Sequence, residues 1–154
     1  MRRKDREITD RAEQDAILDA ADELRLGLWD GAEPYIVPLN FVRIGDELFF
    51  HSACEGRKIT ILRERPQVCF EVEGAGRVEV GEDACDCTTR YESVIGWGKA
   101  VFVESNQEKA AALAALNRKF DAAEGPFPEA MLARVAVVRV GIERMTGKAN
   151  RGTV

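Results

Sequence analysis

Hydrophobic positions in this chain change period several times, and each change marks an element. Ala12, Ala16, Ile17, Ala20, Ala21 and Leu24 recur at helical spacing behind Asp10. Asp10 with Glu13 has the form of a capping box, so a helix is predicted over about 10–23. The charged residues 1–8 before it read as a frayed arm. LRLGLW then reads as a short strand closed by an Asp30-Gly31 turn. A strand follows over 34–42, and Pro38 inside it cannot donate a ladder bond, so it is an edge strand or carries a bulge. Ile44-Gly45-Asp46 turns the chain into an antiparallel strand from Glu47 to His51. A helix over about 55–64 stops before Pro66. Val68, Phe70 and Val72 alternate against Cys69 and Glu71, as a half-buried strand requires.

The second half is less regular. RVEV at 77–80 is a weak strand, and GEDACDCTT reads as an irregular loop. A long strand is predicted over 91–104, with Gly96 and Gly98 marking a bulge, a bend or a close backbone approach. Ser105 with Glu108 caps a helix whose inner face is Ala110, Leu113, Ala114, Leu116 and Phe120. A loop over 125–130 ends in a helical turn. The last strand runs over 133–145, with TGKANRGTV as a polar tail. Six or seven strands with three helices, joined by short connections, favour an antiparallel barrel or sandwich with peripheral helices over a βαβ array.

Composition narrows the function. The 154 residues carry 45% hydrophobic and 32% charged side chains, which suits one soluble domain. A net charge of −5 argues against nucleic acid as the main partner. No apolar run is long enough for a membrane span or a signal peptide, so a cytoplasmic location with reduced thiols is expected. The single histidine and the spacing of Cys54, Cys69, Cys85 and Cys87 do not suit a metal site. Neither a GxGxxG after a strand nor a P-loop is present.

The candidate chemistry lies between Tyr35 and Val72. Arg57 and Lys58 open a helix just after His51 and Ser52 close a strand. Cations there oppose the helix dipole unless an anion joins them, which favours a phosphate over a merely solvated face. Val37-Pro38-Leu39-Asn40 is a mostly apolar ribbon on the preceding strand. A phosphate anchor beside a flat apolar surface suits a flavin nucleotide. His51 reads as a ligand contact or a structural histidine, and Asn40 as a ligand contact or a bond to bulged backbone. Trp97 and Tyr91 read as core or subunit-interface residues, with flavin stacking second. Cys54 reads as inert packing before a redox role, and Cys85-x-Cys87 as an exposed loop pair.

Four stretches in series, PYIVPLNFV, LFFHSACEGRKITILRERPQVCFEV, TTRYESVIGWGKAVFVE and IERMTGKANR, resemble the pyridoxamine-phosphate-oxidase-related FMN-binding split-barrel family, within it the nitroimidazole-resistance branch. The likeness runs from about Leu26 to Arg151. It implies a six-stranded antiparallel Greek-key split barrel, and a homodimer with FMN, or alternatively FAD, at the subunit interface. By position it implies that Ser52, Arg57 and Lys58 hold the phosphate, and that Val37, Pro38, Leu39 and Asn40 lie along the ring. His51 would sit near the ring or ribityl chain. Arg90 to Val94, with Tyr91, Ser93 and Val94 as the contacts, would approach from a facing strand, from the other subunit in one arrangement, and Lys148 would add a cation. Glu92 stands where many relatives have a basic residue. The chain lacks the substrate-phosphate arginine and histidine pattern of authentic pyridoxamine-phosphate oxidases.

The implied activity is a flavin-dependent oxidoreduction of a small molecule, with nitroaromatic compounds such as 5-nitroimidazoles as candidates. No residue stands out as an acid or base, so the catalytic residues are unassigned. The alternatives are a flavin- or haem-binding storage or sensing protein, with His51 as the one histidine able to ligate haem, and a flavin-free structural dimer.

Overall fold

A computed structural model describes residues 3–83 and 86–152. Nine strands and four α-helices are present among them. The strands are β1 Glu7–Ile8, β2 Glu23–Trp29, β3 Pro34–Asn40, β4 Val42–Ile44, β5 Glu47–Ala53, β6 Gln67–Glu73, β7 Arg77–Glu79, β8 Thr88–Phe102 and β9 Val135–Asn150. The helices are α1 Arg11–Ala20, α2 Arg57–Glu64, α3 Asn106–Lys119 and α4 Glu129–Leu132.

The sheet is antiparallel in the order β3-β2-β6-β8-β9-β5-β4. Its two ends, β3 and β4, are consecutive in the chain and separated only by Phe41, which is fully buried. The sheet therefore curls until its edges meet at one residue, a split barrel. The expected count of six strands is corrected to nine. The barrel wall does have six if β3 and β4 are taken as one strand bent at Phe41. The short β1 and β7 pair beside it, with β9 and β8 respectively. Pro38 falls on β3 at the sheet end, where its missing N–H costs least.

Leu24, Leu26, Leu48, Phe50, Phe70, Val72, Val94, Val138 and Val140 fill the barrel, joined by Ile17 and Leu18 of α1 and by Ile61 and Leu62 of α2. Each fully buried side chain of this kind contributes roughly 1.5–3 kcal/mol. A second cluster lies outside the wall, where Phe49 and Val137 meet Ala112 and Leu113 of α3 and Leu132 of α4. The run Leu48-Phe49-Phe50 is apolar on both faces because β5 is covered on both.

Several boundaries differ from expectation. The first helix stops at Ala20, because Leu24 enters the barrel on β2 instead of extending the helical face. The arm is not frayed throughout: Ile8 is buried, and β1 pairs with Gly147 and Lys148. The polar tail is strand as far as Asn150, since β8 gives it a partner at every step. Phe120 ends α3 largely exposed. Asp10 and Ser105 do cap α1 and α3, accepting from the N–H groups of Ala12 (3.1 Å) and Glu108 (3.4 Å).

Candidate functional site

The turn from β5 into α2 carries the predicted anchor. His51, Ser52 and Ala53 end β5 opposite Val137, Ala136 and Val135 of β9. Gly56 precedes α2 at φ +116, a backbone state that other residues adopt only under strain. A Cβ there would meet nothing within 4 Å, so the glycine serves its dihedral angle alone. No side chain caps α2, whereas Asp10 and Ser105 cap α1 and α3. The first-turn N–H groups of α2 are thus left for another acceptor.

The two cations of the motif are not equivalent. Arg57 donates through Nη2 to Asp30 Oδ2 (2.7 Å) and Glu33 Oε1 (2.6 Å), and its guanidinium lies 4.7 Å from the Tyr35 ring centre. Asp30 is drawn down to about 2 by the N–H groups of Glu33 and Ala32, then by Arg57. Arg57 thereby ties the start of α2 to the β2–β3 turn. Lys58 makes no ion pair among the described residues. Its ammonium lies 5.7 Å from the Phe50 ring centre, and burial lowers its pKa. A half-buried cation without a counter-charge is a ready anion ligand. The Arg57 clamp was not legible in sequence. The Asp30-Gly31 turn was, but nothing local says that it faces a helix 27 residues on.

His51 borders a small groove between β5 and α3, beside Phe49, Leu113, Leu116 and Val137. Desolvation first, and the Lys58 charge second, depress its pKa, which keeps the imidazole neutral at pH 7. The folded value lies below the free value of 6.5, so stability is fully present above 6.5 and falls as pH drops toward the folded pKa. Chemical denaturation at pH 7 and pH 5 should therefore show a smaller acid loss in His51→Asn than in the parent. An equal loss would remove His51 from the acid response.

The ribbon on β3 divides by face. Val37 and Leu39, like Tyr35, are partly buried and pack against the core. Pro38 and Asn40 point outward, and the Asn40 amide donates to the Asp22 carbonyl (3.2 Å), which is the backbone-bonding role. What β3 offers as a whole is a free strand edge. Val94 is fully buried and pairs with both Val72 and Gly147, so it has neither side chain nor backbone to present; its placement as a ligand contact is corrected.

Tyr91 and Ser93 lie on the outer face of β8, with Lys148 opposite Ser93 and its ammonium 5.6 Å from the Tyr91 ring centre. This group is remote from the anchor. His51 stands opposite Val137 and Ser93 opposite Lys148, eleven residues apart on β9. At about 3.3 Å per residue that is roughly 35 Å measured along the strand, whose pairing with β8 shifts register on the way. The structure therefore brings His51, Ser52, Arg57 and Lys58 together, and Tyr91, Ser93 and Lys148 together, but not the two groups.

Between them runs an open outer face. Ile36, Gly27, Cys69, Trp97 and Arg144 form one row across five strands. Ile36 is 67% exposed, Trp29 beside it 50%, and the Arg144 guanidinium stacks 3.5 Å from the Trp97 ring centre. Trp97 and Tyr91 are thus wall residues facing out, not core. Cys54, Cys69 and Cys87 are free thiols; Cys85, and with it the Cys85-x-Cys87 pair, lies outside the described residues. Among the described residues no cluster of three or more His, Cys, Asp or Glu could hold a metal ion. No helix among them is long and apolar enough to cross a membrane.

The sequence profile for Pyridoxamine 5'-phosphate oxidase matches residues 10–149. The chain belongs to this family. The family carries the split barrel seen here, and solved structures agree. A candidate 5-nitroimidazole antibiotic resistance protein from Bacteroides thetaiotaomicron is 31% identical, with 92% of this chain and 85% of that chain covered and a TM-score of 0.83. An FAD and haem binding protein from Mycobacterium smegmatis is 22% identical (96% and 74% covered, TM-score 0.86). An FAD-binding protein from Mesorhizobium loti is 23% identical (94% and 97% covered, TM-score 0.69). A comparison with curated proteins gives no match.

Proposed function

We propose that this member of the family is a flavin-nucleotide oxidoreductase acting as a homodimer on a small molecule. The observation that carries the reading is Lys58: a half-buried ammonium with no carboxylate partner among the described residues, near the Phe50 ring and at an uncapped helix start. A flavin phosphate supplies the missing charge. The residues present fit such a group. Ser52 and Lys58 would hold the phosphate, and Arg57, through Asp30, Glu33 and Tyr35, keeps the start of α2 in place. The free edge of β3 from Val37 to Asn40 would meet the ring's polar rim through backbone groups. The flavin, when bound, supplies the electron and hydride transfer. His51, neutral at pH 7, can accept a hydrogen bond or stay uncharged beside a reduced ring.

Two observations support the dimer. The two groups of candidate residues lie toward opposite ends of β9, eleven residues apart along it. A two-fold contact through the outer face of Ile36, Trp29 and Trp97 would set one end of a protomer against the other end of its partner. Tyr91, Ser93 and Lys148 would then reach the flavin held by the partner subunit. For the substrate, the Bacteroides relative makes nitroaromatic reduction the first class to test.

A single experiment tests the core of this. FMN added to the purified protein should give bound-flavin absorption at one flavin per chain, on a species that sediments as a dimer. Bleaching by NADH or NADPH without oxygen, followed by reoxidation with a 5-nitroimidazole, completes the expected result. No uptake of flavin, or tight uptake by a monomer, overturns the proposal. A haem-binding role is the second reading, favoured by the neutral imidazole of His51, and a Soret band on adding haemin that His51→Ala abolishes would support it.

A further inference from the structure

A cavity of about 260 Å3 lies at the far end of β8 and β9, away from the Lys58 anchor. Arg77, Arg90, Tyr91, Asn150 and Arg151 line it, and so does the acidic Glu92. The net charge of the chain is −5, and three of its arginines gather at this corner, each paired with a carboxylate. Arg77 and Arg90 share one carboxylate: Glu79 accepts from Arg77 Nη2 (2.7 Å) and Arg90 Nε (2.7 Å). Arg151 is met by Glu92 (2.7 Å) and by Glu13. Lys148 and Arg6, both beside Tyr91, make no ion pair among the described residues. Glu7 stands opposite Lys148 in the ladder without closing one. With Glu7, and with Glu73 whose carboxylate lies beside Gly76, five cations face five carboxylates, but Arg77 and Arg90 share a single one. Burial acts to raise the Tyr91 phenol, but Lys148 and Arg6 outweigh it and leave the group below its usual value. Gly76 keeps one wall bare, since a Cβ there would come within 3.3 Å of the Arg90 carbonyl.

We infer that this cavity is a second anion site, built to take a phosphate group between Arg77, Arg90 and Tyr91. Two sources carry that chemistry. One is the adenylate half of FAD, reaching in from the anchor of the partner subunit, and this source rests on the flavin reading above. The other is a free phosphorylated small molecule, which does not. Arg90 and Arg77 need only exchange part of their contact with Glu79 for a phosphate oxygen, and bidentate guanidinium contacts suit that oxygen geometry.

The test uses the full chain and two pairs of probes. AMP and inorganic phosphate are titrated by calorimetry, and FMN and FAD by flavin fluorescence, into the parent, Arg90→Gln and Arg77→Gln. Arg77 is exposed and Arg90 partly buried, and an unchanged thermal midpoint confirms that the variants fold. At least one of AMP and phosphate should bind the parent, and each substitution should weaken it about tenfold or more. If FAD weakens in step while FMN does not, the phosphate is that of the adenylate. If FAD and FMN both hold their affinity, the ligand is a free phosphorylated molecule. Binding of neither AMP nor phosphate to the parent, or equal binding to the parent and both variants, overturns the inference. Failure of the flavin reading is separate: no flavin binds any form, whatever AMP does.

Discussion

Gly98→Ala is expected to lower stability by about 3 kcal/mol and the thermal midpoint by roughly 6–12 °C. The glycine lies at the irregularity between Trp97 and Gly98, where the register of β8 against β9 shifts. A Cβ at Gly98 would stand 2.2 Å from the Gly141 carbonyl oxygen and 3.0 Å from Val140 Cγ1. The first of these is backbone, so relief requires moving β9 against the strand that carries its longest ladder. Gly141→Ala is the control on the same pair of strands. Nothing lies within 4 Å of its Cβ, so its effect should stay within about 0.5 kcal/mol. Thermal melts of both variants decide it, and equal midpoints would mean that the bulge yields freely.

Lys58→Met is expected to weaken FMN about tenfold to a hundredfold while leaving riboflavin within about threefold. The substitution keeps an unbranched apolar stem and removes the ammonium, whose contact with the Phe50 ring is lost for both flavins alike, so the difference between the two flavins reads the phosphate contact. Arg57→Ala should behave differently. It frees Asp30 and Glu33 and uncovers Tyr35, so the β2–β3 turn loosens and both flavins weaken together. Fluorescence titration with FMN and riboflavin separates the cases. Equal losses for both flavins in Lys58→Met would remove the phosphate from this residue.

The contrast between Arg57 and Lys58 shows how far a motif can be read. Adjacent basic residues at a helix start look alike in one dimension. Their fates differ because a carboxylate pair from a distant turn reaches one and not the other. Val94 is the opposite case. It stands one residue from Ser93 in a stretch that resembles a flavin contact, but strand alternation turns it into the barrel. Lys148 falls in a stretch that reads as a polar tail, because TGKAN carries no apolar alternation that would mark a strand. The tail is ordered by backbone pairing with β8 and β1, which leaves no trace in side-chain pattern.

Much was decided by local chemistry and is visible in the chain alone. Asp10 and Ser105 start helices because their side chains accept orphan N–H groups. Pro38 marks an edge because it has no N–H to give. Gly96 and Gly98 mark a bulge, a bend or a close approach, and in the structure Phe70 and Gly141 fill the space that a side chain would need. Period-two alternation places Val68, Phe70 and Val72 inward. Only the tertiary structure decided which distant groups meet. Closure at Phe41 joins the two ends of the sheet, β9 holds the two sets of candidate residues at its opposite ends, and the outer face leaves Ile36 and Trp97 uncovered. The physical reason is range: capping, turn chemistry and alternation act over a few residues, whereas ion pairing and burial depend on where strands far apart in sequence come to lie.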